Sequence, residues 1–255
     1  MIRVAINGIL GRMGQELASA ISRDEDLILV GGIDTLETFH EDRIAVTTNP
    51  DEILGDADVV VDFSSPQGTA TIARSCRQHH RPLITGTTGL SRDQQKLVEQ
   101  LAENVPVVQS FNFSLGINLL IDILQKTARV LKDGFDVEII DVHHRGKKDA
   151  PSGTALTLAR VLAQTMGLNE SQAIQVGRKG KNLKRGHEIV IHSLRGGAII
   201  GEHQVHFLCG HETINITHKA LSRSVFVDGV LRAIYWIPGQ KPGYYTMQDV
   251  LELKA

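Results

Sequence analysis

Short apolar runs alternate with longer amphipathic ones through the first part of this chain. The runs at 3–7, 27–33, 58–62, 82–85 and 105–109 read as strands. The stretches between them read as helices: one after Gly14 to about Ser22, one from Gln67 to His79, and one from Ser91 to about Glu103. Ser91 with Gln94 forms a capping box that fixes where the third begins. Strands alternating with helices predict a doubly wound parallel sheet, whose ligand crevice lies at the strand C-termini.

Beyond Leu115 the rhythm changes. An amphipathic helix over 115–131 leads into a Val/Ile-rich strand over 135–142. A second helix follows, N-capped by Ser152, with Leu156, Ala159, Leu162 and Ala163 at helical spacing and Gly167 at its end. Three strands, at 188–194, 201–209 and 212–217, then come with no helix between them. This predicts a second, α+β domain with an open mixed sheet. The last stretch holds a helix through Trp236 and a short one after Thr246, which would pack back on the first sheet. The expected domains are therefore 1–114 with 224–255, and 115–223.

Composition narrows the class. With 42% hydrophobic residues over 255 positions the chain can bury two modest cores, and a net charge of -2 gives no field that would attract nucleic acid or an anionic membrane. No apolar run approaches the roughly 20 residues of a membrane-spanning helix, and Met1 leads almost directly into a strand instead of a signal peptide. Cys76 and Cys209 lack metal-ligand or redox spacing and are expected to fill core space. A cytoplasmic protein is expected.

Two stretches carry candidate chemistry. The first strand runs into Gly8-Ile9-Leu10-Gly11-Arg12-Met13-Gly14, and the second ends at Asp34, about twenty residues further on. That is a dinucleotide-binding pattern with G-x-x-G in place of G-x-G: Gly8 for the turn, Gly11 for approach of the pyrophosphate, Gly14 for helix packing, Asp34 for a ribose hydroxyl. Because Asp34 would repel a 2'-phosphate and Thr35 supplies no cation, the cofactor leans to NADH; Arg12 leaves NADPH open. Gly86-Thr87-Thr88 and Ser110-Phe111-Asn112-Phe113, at two further strand ends, can offer amides and hydroxyls to the nicotinamide half.

The second stretch is His143-His144-Arg145-Gly146-Lys147-Lys148-Asp149-Ala150-Pro151-Ser152-Gly153-Thr154-Ala155. Two imidazoles, a cluster of cations and a helix N-terminus together suit an acidic substrate that must receive a proton. The basic run 178–185 reads, for most of its charges, as a solvated loop, with a mobile flap that meets an anionic ligand as the alternative, and histidines 192, 203, 206, 211 and 218 as surface or satisfied interface residues with no metal-ligand spacing. No metal is expected.

These motifs, with Gly86-Thr87-Thr88-Gly89, Asn112-Phe113-Ser114-x-Gly116, Ser193-Leu194-Arg195-Gly196-Gly197 and Gly201-Glu202-His203, resemble the 4-hydroxy-tetrahydrodipicolinate reductase (dihydrodipicolinate reductase) family of bacterial lysine and diaminopimelate biosynthesis, over essentially the whole chain. The resemblance implies hydride transfer from NADH or NADPH to a cyclic dicarboxylate imine, with His143 as general acid and Lys147 as a second proton-donating or polarising group. It implies substrate contacts at His144, Ser152, Gly153 and Thr154, and the nicotinamide cofactor on 8–13, Asp34, 86–88 and 110–113. It also implies a homotetramer built through the second, substrate-binding domain, and domains that close on their ligands. The chain departs from the family at Phe111, where smaller residues are common, at Asp141, where Glu is common, and at Thr35, where some members carry a basic residue. Two other classes stay open on the residues alone: a dinucleotide sensor that binds NADH without consuming it, and a metal-dependent hydrolase built on the histidines.

Overall fold

A computed structural model describes residues 1–39, 44–181 and 184–253. In chain order the elements are β1 Ile2–Asn7, α1 Arg12–Ile21, β2 Leu27–Ile33, β3 Thr38–Phe39, β4 Ala45–Thr47, α2 Asp51–Leu54, β5 Val59–Asp62, α3 Pro66–His79, β6 Leu83–Thr85, α4 Arg92–Ala102 and β7 Pro106–Gln109. Then come α5 Leu115–Leu131, β8 Asp136–His143, α6 Gly153–Thr165, α7 Glu170–Ala173, β9 Ile174–Val176, β10 Ile189–Arg195, β11 Gly201–Leu208 and β12 Thr213–Ala220. The chain closes with α8 Ser224–Trp236, β13 Gly243–Tyr245 and α9 Met247–Val250. They form two compact units, Met1–Leu115 with Ser224–Ala255, and Gly116–Arg223.

The first unit is an eight-stranded sheet in the order β13-β7-β6-β5-β1-β2-β4-β3, parallel except where β3 meets β4. Val4, Ala5, Ile6, Val59, Val60 and Val61 are fully buried, because helices cover both faces and such strands need apolar residues at every position. One face packs against α1 and α8 through Leu17, Ile21, Val230 and Ile234; the other packs Ile72, Cys76, Val98 and Leu101 of α3 and α4. From β1 the chain builds outward to β2 and β4, and from β5 to β6 and β7, so the sheet order reverses between β1 and β5. Their ends, Asn7 and Asp62, lie opposite each other in register.

The second unit is a five-stranded mixed sheet in the order β12-β11-β8-β10-β9. β8 alternates: Val137, Ile139, Asp141 and His143 are buried, and the residues between them are not. β11 answers with Gly201, His203, Val205 and Phe207 buried. The apolar members of this face form one core with Ile117, Leu120, Ile121 and Leu124 of α5 and Leu158, Ala159 and Leu162 of α6. At the C-terminal end of β8 the same buried row turns polar, which sets the candidate site. Among the described residues no helix is long and apolar enough to cross a membrane.

Two expectations need correction here. Cys76 is buried, but Cys209 is only half-buried. Arg178, Lys179, Lys181 and Lys184 of the basic run are exposed as expected, but Arg185 is half-buried and pairs with Glu138 and with Asp136 at 3.0 Å, and Arg178 pairs with Glu188. These acids stand on and beside β8 and β10, whose strand chemistry gives no hint of the pairing. Asn182 and Leu183 of that run lie outside the described residues.

Candidate functional site

In the first unit, Gly8 turns the chain at φ +83, and a Cβ there would lie 2.8 Å from the carbonyl oxygen of Phe63. A Cβ at Gly14 would come within 2.2 Å of the Gly8 carbonyl oxygen, so only glycine lets α1 start this close to the turn. Gly11 is the N-cap of α1 and supplies no side-chain cap, which leaves the helix start open to an anion. These features fit a dinucleotide pyrophosphate. Ile9 is fully buried, its side chain filling the space where a Cβ on Gly32 would sit, so only its backbone can meet a ligand. Arg12 is exposed and Leu10 and Met13 half-buried. The Asp34 carboxylate accepts from the backbone N–H of Leu10 at 2.9 Å and of Thr35 at 2.8 Å. The acid predicted to meet the ribose therefore also braces the glycine turn.

The other two predicted loops divide their labour. Thr88 is exposed, whereas the Thr87 hydroxyl donates inward to Asp62 at 3.0 Å and so is not offered to a ligand. Ser110 donates to the Asn112 carbonyl at 2.7 Å, and the Asn112 side chain accepts from the Ser114 N–H at 2.8 Å. Phe113 is buried against the ring of Phe63, and Phe111 is 43% exposed.

In the second unit the predicted residues converge around one acid. Asp141 is fully buried and accepts from the Ser152 N–H at 2.9 Å, the Ser152 hydroxyl at 2.8 Å and Arg195 Nη2 at 2.9 Å. Nδ1 of His143 lies 2.9 Å from Asp141 Oδ1, at ion-pair distance though out of line for a hydrogen bond. Burial would raise the Asp141 pKa, but the contacts from His143, Ser152 and Arg195 outweigh it and hold the carboxyl well below the usual range. Ser152 caps α6 as predicted, accepting from the Ala155 N–H at 3.1 Å. Gly153 is exposed in the first turn and Thr154 half-buried.

His143 is 7% exposed. With Nδ1 facing Asp141, its Nε2 points towards Gly201, where a Cβ would stand 3.1 Å away. His144 is half-buried and anchored through its N–H to the Ile199 carbonyl at 2.7 Å. Lys147 Nζ lies 3.0 Å from Asp149 Oδ1. Burial would raise the Asp149 pKa, but the Lys147 contact, with the Asp149 backbone N–H and Arg195, outweighs it and lowers the pKa.

The sequence reading missed two members. His203 is not a surface residue: it is 4% exposed, edge-on to His143 with ring centroids 5.3 Å apart, and its Nε2 lies 3.3 Å from the Ser152 hydroxyl. Desolvation pushes its pKa down to about 4 despite Asp141, so it is neutral near pH 7. Arg195 anchors the other side of Asp141 and also donates to the carbonyls of Asp141 at 3.1 Å and Asp149 at 2.7 Å. The alternation of β11 could have placed His203 on the buried face with Val205 and Phe207; its pairing with Asp141 needs the register. Asp141, His143 and His203 bring their ligand atoms within 4.8 Å of one another, the one such group among the described residues. Ser152 and Arg195 already engage both oxygens of Asp141, so the carboxylate serves here as an anchor for its neighbours.

Comparison with known proteins gives a consistent answer. Residues 2–113 match the family described as "Dihydrodipicolinate reductase, N-terminus", and residues 116–251 match "Dihydrodipicolinate reductase, C-terminus". The chain is 42% identical to 4-hydroxy-tetrahydrodipicolinate reductase of Hahella chejuensis and 38% identical to that of Syntrophotalea carbinolica, each over 100% of both chains. A dipicolinate-bound dihydrodipicolinate reductase from Paenisporosarcina sp. TG-14 superposes with a TM-score of 0.83 at 27% identity, covering 98% of this chain and 99% of that one. The fold is shared with GenD2 of gentamicin A biosynthesis, solved in complex with NAD, at a TM-score of 0.63 and 14% identity over 99% of this chain and 90% of that one.

Proposed function

The chain belongs to the dihydrodipicolinate reductase family and is a nicotinamide-dependent oxidoreductase; from that premise we propose that it reduces 4-hydroxy-tetrahydrodipicolinate to tetrahydrodipicolinate, in lysine and diaminopimelate biosynthesis, with His143 as the proton donor. The observation that carries the reading is the buried His143–Asp141 contact beside the N-terminus of α6.

Bound on the glycine turn of the first unit, a reduced nicotinamide supplies the hydride. Loss of water from the hydroxylated substrate gives a conjugated cyclic imine with two carboxylates. Hydride addition to its ring leaves an electron-rich enamine, which takes up one proton, so hydride and proton together complete the reduction. The remaining work falls to this chain's side chains. Asp141 orients the His143 ring through Nδ1, so the proton leaves from Nε2, beside Gly201, which carries no side chain. Neutral His203 packs against His143 without adding a competing charge. Lys147 and the α6 start at Gly153 and Thr154 hold the substrate carboxylates, while Ser152, committed to Asp141 and Ala155, fixes that helix start. His144 is assigned to the substrate as a further contact.

NADH is the favoured cofactor, since a phosphate on the ribose would meet the Asp34 carboxylate that Leu10 and Thr35 hold in place. The molecule is proposed to act as a cytoplasmic homotetramer, with the first unit binding cofactor and the second binding substrate.

The test is nicotinamide absorbance with substrate generated in the cuvette from pyruvate and aspartate semialdehyde by the preceding synthase. Oxidation of NADH that requires the synthase supports the reading. NADH binding without oxidation, with NADPH equally inert, points instead to a dinucleotide sensor.

A further inference from the structure

Asp62 takes no part in the reaction as proposed, yet it is fully buried at the end of β5, where the sheet order reverses. Its Oδ1 accepts from Asn7 Nδ2 at 2.8 Å, from the Ser64 hydroxyl at 2.6 Å and from the Ser64 N–H at 3.3 Å. Its Oδ2 accepts from the hydroxyls of Thr69 at 2.6 Å, Thr85 at 2.7 Å and Thr87 at 3.0 Å. These partners are neutral donors throughout, an arrangement that only a side chain with two acceptor oxygens completes.

The partners are placed on the loops that line the crevice. Asn7 immediately precedes Gly8, and Asn7 also donates to the Ser64 hydroxyl at 3.0 Å. Ser64 follows Phe63, whose carbonyl crowds Gly8 and whose ring fills the space beside Gly86. Thr85 and Thr87 flank Gly86, whose N–H donates to the Asp62 carbonyl at 3.0 Å. One carboxylate thus joins the glycine turn after β1, the loop after β5 and the loop after β6. Thr69, in contrast, belongs to α3 and anchors Asp62 from behind.

We propose that Asp62 is a positioning residue for the nicotinamide cofactor, tying these three loops into one fixed mouth at the switch point of the sheet. The inference rests on the reading that the loops at 8–13 and 86–88 hold the cofactor. A binding group displaced by even a fraction of an ångström forfeits preorganisation, so loosening this hub weakens cofactor binding while leaving the pocket of the second unit intact.

The experiment uses the full-length protein, NADH titrated by calorimetry, and thermal melts. Thr87→Val removes the loop bond to Asp62, and Thr69→Val removes a bond of the same kind from the helix side. Both should melt lower by a similar amount. Thr87→Val should raise the NADH Kd about tenfold, which corresponds to about 1.4 kcal/mol, with the dicarboxylate KM unchanged; Thr69→Val should leave the Kd within about twofold. Asp62→Asn should raise the Kd at least as far, and in the double variant with Thr87→Val the losses should not add, because Thr87 acts through Asp62. Equal loss of NADH affinity in the two threonine variants, or no loss in either, would make Asp62 a brace of the fold alone and overturn the proposal. Should Asp62→Asn fail to fold, the threonine pair still decides. Failure of the wild-type protein to bind NADH or NADPH would overturn the cofactor reading itself, and the proposal with it.

Discussion

Asp141→Asn is the sharpest perturbation of the second unit, because the amide keeps the shape of the carboxylate and changes only its chemistry. If its NH2 took the place of Oδ2, it would point at the Ser152 N–H and at Arg195, both donors. It therefore takes the place of Oδ1, where the Ser152 hydroxyl can turn to accept and where His143 Nδ1 must present its lone pair. The ring is then fixed with Nδ1 as an acceptor and without the carboxylate partner on which its proton-donating role relies. Removing one partner of a buried ion pair costs about 3–5 kcal/mol. Arg195 keeps its bonds to the carbonyls of Asp141, Leu194 and Asp149, so the lower end applies: about 3 kcal/mol, or roughly 8 °C in Tm. Positioned general acids contribute about a hundred- to ten-thousand-fold, and kcat should fall about a hundredfold. Melts and steady-state kinetics with the coupled assay, at fixed saturating NADH, separate the two effects. A folded variant whose kcat stays within about twofold of wild type would refute the orienting role, whatever its Tm.

Other outcomes follow from particular contacts. Gly201→Ala places a methyl 3.1 Å from His143 Nε2 and should lower kcat about tenfold with little change in NADH binding, measured in the same assay. His203 has its folded pKa lowered to about 4 from an unfolded value near 6.5, so the unfolded state binds the proton more readily between those pH values. Its contribution, on the order of 3 kcal/mol, is complete above pH about 6.5 and lost as pH falls to about 4; urea melts across that window should show the loss, and His203→Gln should flatten it. Gly14→Ala drives a methyl into the Gly8 carbonyl and should cost about 3 kcal/mol in denaturant melts and weaken NADH binding; a neutral outcome would mean that the turn relaxes freely.

The first unit was largely readable because its signals are local. β1, the glycine turn, α1 and β2 lie consecutively, and Ser91 with Gln94 forms the predicted capping box. The second unit was readable at Ser152, again a local cap, and at β8. Among the elements of two to four residues, β6 and α9 were read from the residues around them, but β3, β4, β9, β13, α2 and α7 escaped, since segments so short carry little period and owe their form to the sheet beside them. His203 and Arg195 escaped for a different reason. They reach Asp141 through strand pairing across some fifty to sixty residues of sequence, and register is fixed by packing that no local pattern reveals. Asp62 was read as a strand end, and nothing near it in sequence announces that Asn7, Thr85 and Thr87 converge on it.

The central claim is that His143 delivers the proton. The direct measurement is turnover of His143→Gln beside wild type in the synthase-coupled assay, with NADH affinity measured in parallel. The account predicts a fall in kcat of about a hundredfold or more with unchanged NADH binding. Wild-type turnover in the variant would remove His143 from the chemistry.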